Sequence, residues 1–398
     1  MIHPQNPSQS FKIRSYNQIS VKGLNRFSRE RYEVGSEISS PHAIILRSHN
    51  LLDETLPDGV TAIARAGAGV NNVPVSQCSA AGIVVFNTPG ANANAVKELV
   101  LTGLLLSCRG VTEGINFIGQ LGTTVPPKEL AKQMEAKKKQ FKGSELAGKT
   151  LGIVGLGAIG SMLADMALAL GMNVVGYDPA ISIEAAWRLS SRIKKMDNLS
   201  SLMARSDFIS LHVPSIEATR KMVNGENLSQ AKPGAVLLNF SRSEIVDNEA
   251  VISALNEGRL SKYVSDFPIP ELIGRDDVIF TPHIGASTAE AEDNCAVMAA
   301  DQLVDFLENG NIKNSVNFPN LTMERSGGPR ITFCNHNVPG VLGHVLSILA
   351  DKNVNVTDML NKSRDDIAYN IIDVESEPTE ALLASIYEVE HVIKVRVV

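Results

Sequence analysis

The sequence predicts an α/β protein in three parts: a doubly wound parallel sheet at the centre, a smaller α/β domain before it, and a βαββαβ module at the end. Three observations predict this. From Thr150 onward, short apolar runs alternate with stretches of helical pattern. A glycine-rich turn, Gly155-Leu156-Gly157-Ala158-Ile159-Gly160, stands where the first of those runs gives way to a helix. After Pro319 the order becomes strand, helix, strand, strand, helix, strand. The 398 residues suffice for two or three domains with sizeable cores. Apolar residues make up 44% and charged residues 20%, which excludes wholesale disorder. A formal charge of −6 argues against broad binding to nucleic acid or to an anionic membrane. Neither is expected as a partner.

The first part reads as strands Ala43–Leu46, Ala62–Ala64 and Ile83–Phe86, closed by the sharp break Asn87-Thr88-Pro89-Gly90. Residues 93–118 are Ala-, Leu- and Val-rich and predict one long helix. Pro126-Pro127 then opens a lysine-rich helix over 128–142, read as a solvated face or as a contact with a phosphorylated ligand or another subunit. The central strands are Thr150–Val154, Asn173–Tyr177, Phe208–His212, Ala235–Asn239, Tyr263–Ser265 and Val278–Phe280. Ser326-Gly327-Gly328-Pro329 reads as a linker. Beyond it, strands Ile331–Cys334, Asn355–Leu360, Ala368–Val374 and Ile393–Val398 and helices Gly340–Asp351 and Thr379–Glu388 give a ferredoxin-like order. The cysteines, Cys78, Cys108, Cys295 and Cys334, lie 30, 187 and 39 residues apart. No pair has zinc or thioredoxin-like spacing, so no metal site is expected, and a reducing cytoplasm is the simpler setting. The opening MIHPQNPSQS lacks the apolar core of a leader, and no run approaches the ~20 residues of a membrane span.

The glycine turn gains meaning from its context. It follows a strand, opens a helix, and is followed by Asp178, 18 residues beyond Gly160, at the end of the next strand. Gly155 allows the tight turn, Gly157 lets a pyrophosphate approach the backbone, and Gly160 lets helix and sheet pack closely. Asp178 can accept from both ribose hydroxyls and would repel a 2′-phosphate. A Rossmann-type domain binding NAD rather than NADP is therefore expected, although Arg188 and Arg192 farther on leave NADP open.

Three polar groups sit at or beyond strand ends in the second half of this block: Arg242, Glu271 (five residues after Asp266) and His283. In an open parallel sheet, ligands bind beyond the carboxyl ends of the strands. An arginine fork binds a carboxylate, a histidine takes a hydroxyl proton, and a glutamate beside it stabilises the imidazolium. Taken singly, Arg242 could be a surface ion pair, His283 a loop residue and Glu271 a solvated charge. Together, beside a dinucleotide fold, they point to hydride transfer.

With these motifs in view, the chain resembles the NAD-dependent D-2-hydroxyacid dehydrogenases, and among them the branch that carries a C-terminal ACT module. The resemblance rests on Ala64-Arg65-Ala66-Gly67-Ala68-Gly69-Val70-Asn71-Asn72-Val73, Asn87–Gly90, the glycine turn, His212-Val213-Pro214, Asn239–Asp247 and Thr281–Thr288. Ser243-Glu244 departs from the glycine usual in the family after the arginine. The resemblance implies Arg242, Glu271 and His283 as the catalytic trio. It also implies cofactor contacts from Ala158, Ile159, Asp178, His212, Val213, Pro214, Phe240, Ser241, Arg242, Asp266, His283, Ile284, Gly285 and Ala286. It implies a discontinuous flavodoxin-like substrate-binding domain (1–90 plus 284–318), an NAD-binding domain (91–283) and a regulatory ACT domain (327–398). The two larger domains would close on a hinge near Gly90 and Ile284.

Arg47 and Arg65 each follow an apolar strand, and Gly67 and Gly69 are expected to expose backbone N–H groups. With Ala66 they would form an anion pocket for the substrate's far end; otherwise the two arginines merely pair with acids. The expected substrate pair is 3-phosphoglycerate and 3-phosphohydroxypyruvate, with Arg242 on the carboxylate. In the tail, Asn335, Asn337 and Asn355 are expected to meet a small zwitterion such as L-serine, unless the module only dimerises. A homodimer or homotetramer is expected. The expected activity is therefore NAD-dependent oxidation of 3-phosphoglycerate, the first step of phosphorylated L-serine biosynthesis. The alternatives are a glyoxylate or hydroxypyruvate reductase and an NADH-sensing corepressor-like protein.

Overall fold

The computed structural model describes residues 10–398. The first nine residues, which the sequence reading finds without a leader and places in the substrate-binding domain, lie outside the described residues. Two compact units are present. One comprises the described residues up to Asn92 together with Thr288–Val398, and the other is Ala93–Ser287.

The first unit opens with five parallel strands: β1 (Phe11–Ser15), β2 (Tyr32–Gly35), β3 (Ala43–Leu46), β4 (Ala62–Arg65) and β5 (Val84–Phe86). Their order, β2-β1-β3-β4-β5, is flavodoxin-like. β3, β4 and β5 are the apolar runs of the sequence. β1 and β2 escape that reading because polar residues interrupt them: Phe11 and Ile13 are buried while Lys12 between them is exposed. The helix Ala289–Asn309 packs its small face, Ala296, Ala299 and Ala300, into the same core.

The second unit holds seven parallel strands: β6 (Thr150–Val154), β7 (Asn173–Tyr177), β8 (Lys194–Lys195), β9 (Phe208–Leu211), β10 (Ala235–Asn239), β11 (Leu260–Ser265) and β12 (Val278–Phe280). The order is β12-β11-β10-β9-β6-β7-β8, so chain direction across the sheet reverses between β6 and β9. This is the Rossmann arrangement with one added strand. The stretch expected to be one helix over 93–118 is two, Ala93–Cys108 and Val111–Gln120. The break follows from a crossing. A Cβ on Gly110 would lie 3.0 Å from the Phe141 backbone, and the Ser144 N–H takes the Cys108 carbonyl at 2.8 Å. The lysine-rich helix, Pro127–Lys137, starts at its proline, and its lysines stand in solvent. Among the described residues no helix is long and apolar enough to cross a membrane.

The tail forms β13 (Arg330–His336), β14 (Val356–Arg364), β15 (Ile367–Val374) and β16 (Val392–Val397), an antiparallel sheet in the order β14-β15-β13-β16. Helices Val341–Asp351 and Glu380–Tyr387 cover one face, closing a core of Phe333, Val345, Ile372 and Leu383. The other face is buried too. Cys334, Tyr369 and Ile371 join Leu303, Phe306 and Phe318 in the core of the first unit. Arg330, wholly buried, grips Asp373 with Nε at 2.5 Å and Nη2 at 2.9 Å. It also donates to the carbonyls of Asn309, Met323 and Glu324. Ser326 of the glycine linker donates to Asp373 through its N–H and its hydroxyl. The linker is thus fastened at its start.

Burial alone would push the Asp373 carboxyl up, but the hydrogen bonds from Arg330 and Ser326 outweigh it and hold it below the usual carboxylate range. A carboxyl lowered on folding contributes stability above its unfolded pKa and loses it as pH falls through the folded value. Removing one partner strands the other. Arg330→Ala is expected to cost roughly 3–5 kcal/mol, read as a lowered urea midpoint. The double change Arg330→Met with Asp373→Leu should recover much of that loss. A double variant as unstable as the single one would contradict this account.

Candidate active site

β10, β11 and β12 are successive neighbours running the same way, and adjacent strands lie about 4.8 Å apart. The segments leaving their carboxyl ends carry Arg242, Asp266 with Glu271, and His283. After β10, the buried Asn239 folds the turn: its Oδ1 accepts from Ser241 N at 3.1 Å and its Nδ2 donates to Arg242 O at 2.9 Å. Ser241 donates to the Leu211 carbonyl, tying the turn to β9. Arg242 leaves this turn half-buried, its Nη1 on the Ser241 carbonyl at 2.6 Å. Phe240 turns its side chain into the core, so what it offers a ligand is backbone.

After β11 comes Asp266, 2% exposed. Its Oδ1 accepts from the Thr281 hydroxyl at 2.7 Å and from Ile284 N at 2.9 Å, and its Oδ2 accepts from Gly285 N at 2.7 Å. Its backbone carbonyl accepts from His283 N at 3.1 Å. These four bonds hold His283 at φ 55°, a left-handed conformation uncommon for a side chain with a Cβ. The imidazole is exposed, with the Phe267 ring 4.9 Å away. Asp266 is therefore the inward anchor of the very loop whose members it was expected to join at the cofactor.

Glu271 lies on the short turn Pro270–Leu272 and is exposed. Its neighbours Ile269 and Leu272 are buried and root that turn in the core, leaving the carboxylate outside. Among the described residues no hydrogen bond or ion pair joins Glu271 to His283.

At the switch point the glycine turn has the shape a dinucleotide needs. Gly155 has φ 90°, and a Cβ there would meet His212 O at 2.4 Å; one on Gly160 would meet Gly155 O at 2.0 Å. Around Gly157 there is open space, and no side chain caps the helix Ala158–Ala169. Asp178 accepts from Leu156 N at 2.8 Å and Ala180 N at 3.0 Å, which pins the turn to β7. A carboxylate has about four acceptor positions, so it keeps capacity for a ribose. His212 has one ring nitrogen on Ser210 Oγ at 2.8 Å, while Nδ1 is enclosed without a partner. Burial pushes its pKa down to about 3, so the ring is neutral at physiological pH. Val213 is half-buried and Pro214 exposed beside it. The residues present fit a dinucleotide.

The anion candidates belong to the first unit. Arg65 donates from Nε to the Arg47 carbonyl at 3.0 Å, and a Cβ on Gly67 would lie 1.8 Å from the Arg65 guanidinium. The Gly67 N–H, expected to face an anion, is instead donated to the Arg65 carbonyl at 2.8 Å, because the loop turns too tightly to present it. Ala66 is buried, its N–H on Leu46 O. In the tail, Asn335 is turned inward, between Asn370 Nδ2 at 2.9 Å and the His336 carbonyl. Asn337 and Asn355 are exposed but stand at opposite ends of the nine-residue β14, roughly 30 Å apart. Within one chain they cannot share a small ligand.

Comparison with known proteins assigns the central sheet and the tail to known domain families. Residues 121–285 match the NAD binding domain of the D-isomer specific 2-hydroxyacid dehydrogenases, and residues 330–391 match the ACT domain. D-3-phosphoglycerate dehydrogenase of Haemophilus influenzae is 34% identical, over 92% of this chain and 88% of its own. That of Escherichia coli is 33% identical, over 94% and 89%. The chain belongs to the D-3-phosphoglycerate dehydrogenase family of NAD-dependent enzymes.

Among solved structures, the NAD+-bound 3-phosphoglycerate dehydrogenase of Entamoeba histolytica superposes with a TM-score of 0.60 at 26% identity, covering 77% of this chain and 99% of that one. Rhodotorula graminis D-mandelate dehydrogenase, at 23% identity and TM-score 0.65, shares the fold. NAD is the cofactor, and when bound it supplies the hydride acceptor. In this dehydrogenase the sequence reading quotes Asn239, Ser265 and Thr281 within motifs or strands but gives them no role of their own. Their mark is a polar residue at or just beyond the end of an otherwise apolar strand, and two of them, Asn239 and Ser265, are wholly buried.

Asp266→Ala would leave two N–H groups and a hydroxyl without their acceptor and release the His283 turn. We expect kcat to fall at least about tenfold with the circular dichroism spectrum unchanged. Thr281→Val, which removes one of the bonds, should cost less. Equal rates for wild type and Asp266→Ala would exclude the anchoring role.

Proposed function

We propose that this dehydrogenase oxidises 3-phosphoglycerate to 3-phosphohydroxypyruvate, the first step of the phosphorylated route to L-serine, in the cytoplasm. One observation carries the reading: Arg242 and His283 leave the carboxyl side of β10 and β12, the two strands that flank β11, with His283 fixed by Asp266, in the sheet whose switch point holds the glycine turn. The names of its relatives support the substrate. So do two arginines at strand ends, Arg47 just beyond β3 and Arg65 the last residue of β4.

In the forward direction the Arg242 fork holds the carboxylate beside C2, in charge-assisted hydrogen bonds. His283 accepts the proton of the C2 hydroxyl as C2 gives up its hydride and the C2–O bond becomes a carbonyl. Glu271, the exposed carboxylate on the neighbouring strand's loop and unpaired with His283 at rest, swings to the imidazolium so formed and stabilises it. Arg47 and Arg65 take the phosphate. The exposed apolar side chains Val111, Ile115 and Ile118 support assembly as a homodimer or homotetramer. Asn337 and Asn355, exposed at opposite ends of β14, support a response to L-serine bound between the modules of two chains, where one end from each copy meets the ligand.

His283→Ala should lower kcat by about 10²–10⁴, while NADH affinity measured by fluorescence titration stays within a factor of two or so. Undiminished turnover would remove His283 from the reaction. Glycerate used as well as 3-phosphoglycerate would remove the phosphate, and an absence of heat with L-serine in calorimetry would remove the effector.

A further inference from the structure

Arg47 is one of the two arginines read above as the substrate's distal anion site, and the inference here rests on that reading. Its guanidinium is already engaged. Nη1 lies 2.7 Å from Oε1 of Glu292. Both side chains are partly open to solvent, 34% and 44% exposed, so this pair is no buried structural bridge of the Arg330 kind. Glu292 sits in the first turn of the helix Ala289–Asn309, behind its Thr288 cap, where the helix end favours a negative charge.

The root of the arginine, by contrast, is fixed. The Arg47 carbonyl accepts from Arg65 Nε at 3.0 Å and from Asn72 Nδ2 at 3.2 Å. The next two N–H groups, of Ser48 and His49, both donate to Asn17 Oδ1, at 3.1 and 2.7 Å. With the loop held from both sides, an incoming anion cannot draw Arg47 away by moving its backbone. It can reach the guanidinium only by rotation of the side chain, and that rotation sets it against the Glu292 carboxylate that holds Nη1 at rest.

Charge decides what that meeting favours. Arg47 brings one positive charge and Glu292 one negative, so the pair is neutral at rest. A phosphate dianion that reaches Arg47 also meets the negative charge of the carboxylate, which an uncharged substituent does not.

We propose that Glu292 is a specificity-determining residue: its carboxylate occupies Arg47 at rest and competes with the terminal anion of the substrate, holding down the enzyme's preference for phosphorylated over unphosphorylated 2-hydroxyacids. This is specificity through a repulsive element rather than an added contact. The competition acts on binding and not on the reacting carbon, so it appears in KM.

The test compares kcat/KM for 3-phosphoglycerate and for D-glycerate in the wild type, Glu292→Gln, Glu292→Ala and Arg47→Ala, with thermal unfolding as the check on folding. Glu292→Gln is expected to raise the phosphorylated-to-unphosphorylated ratio roughly three- to tenfold through KM for the phosphorylated acid, with kcat unchanged. Glu292→Ala should act in the same direction. Adding Arg47→Ala to either should abolish the gain. An unchanged or lowered ratio in a folded Glu292→Gln protein overturns the proposal, and Glu292 would then serve only to position Arg47. If Arg47→Ala raises KM for 3-phosphoglycerate while Glu292→Gln leaves the ratio alone, the inference falls and the anion site stands. If Arg47→Ala leaves that KM unchanged, the anion-site reading falls and this inference with it.

Discussion

The chemistry assigned to the central sheet depends on one buried carboxylate. Asp266 is almost without exposure, yet both its oxygens are filled by donors from the loop after the adjacent strand. Those donors are backbone N–H groups and a hydroxyl, so the interaction fixes the path of the chain rather than the placing of one side chain. It stabilises a left-handed residue that no local preference would select. Two bonds to the carboxylate come from the two residues after His283, and the third from two residues before it. The imidazole is thereby carried on a turn clamped on both sides while its ring stays in the open.

The same device recurs. Asp178 holds the glycine turn against the end of β7 through Leu156 N. Asp373 holds Arg330 and the start of the glycine linker, and Arg330 in turn gathers three carbonyls from the segment before β13. Asp266, Asp373 and Arg330 are buried only where several hydrogen bonds satisfy them, the condition under which a buried polar or charged group is tolerated, whereas Asp178 stays half-buried. The ACT module is consequently part of the first unit's packing: its sheet has one core against its own helices and a second against Phe306 and Phe318.

Much of this was readable from residues. The strand limits at Asn173–Tyr177 and Ala235–Asn239 follow from unbroken apolar runs between turn residues, and the glycine turn with Asp178 is a local pattern whose physics needs no tertiary information. β1 and the two-residue β8 were not read, because a reading keyed to continuous apolar runs misses the short alternation of β1, and β8 is two lysines whose place depends on a neighbouring strand. The break at Gly110 was hidden for a related reason: glycine alone tolerates continuation, and what interrupts the helix is the return of residues 141–144. Asn335 shows the limit at the site. Its motif places it beside the Pro339-Gly340 turn, but only pairing with β15 reveals Asn370, which turns its amide inward.

Loops at the carboxyl ends of parallel strands face a conflicting demand. They must present polar groups to a ligand, so they cannot be covered by the apolar layers that hold the strands beneath them. Hydrophobic packing can anchor such a loop only by its flanks, as Ile269 and Leu272 anchor the turn that leaves Glu271 outside. Between flanks, the remaining means is hydrogen bonding from below by a side chain that is itself buried at the strand end. Asn239 does this for Arg242 and Asp266 for His283, one strand apart. The difference between the two fits their tasks. An amide supplies donor and acceptor and can close a turn within its own loop, whereas a carboxylate only accepts and therefore collects N–H groups from the loop of another strand. A guanidinium on a flexible stem tolerates the looser hold of a neutral amide. An imidazole that must meet one proton at one oxygen requires the stronger, charge-assisted one.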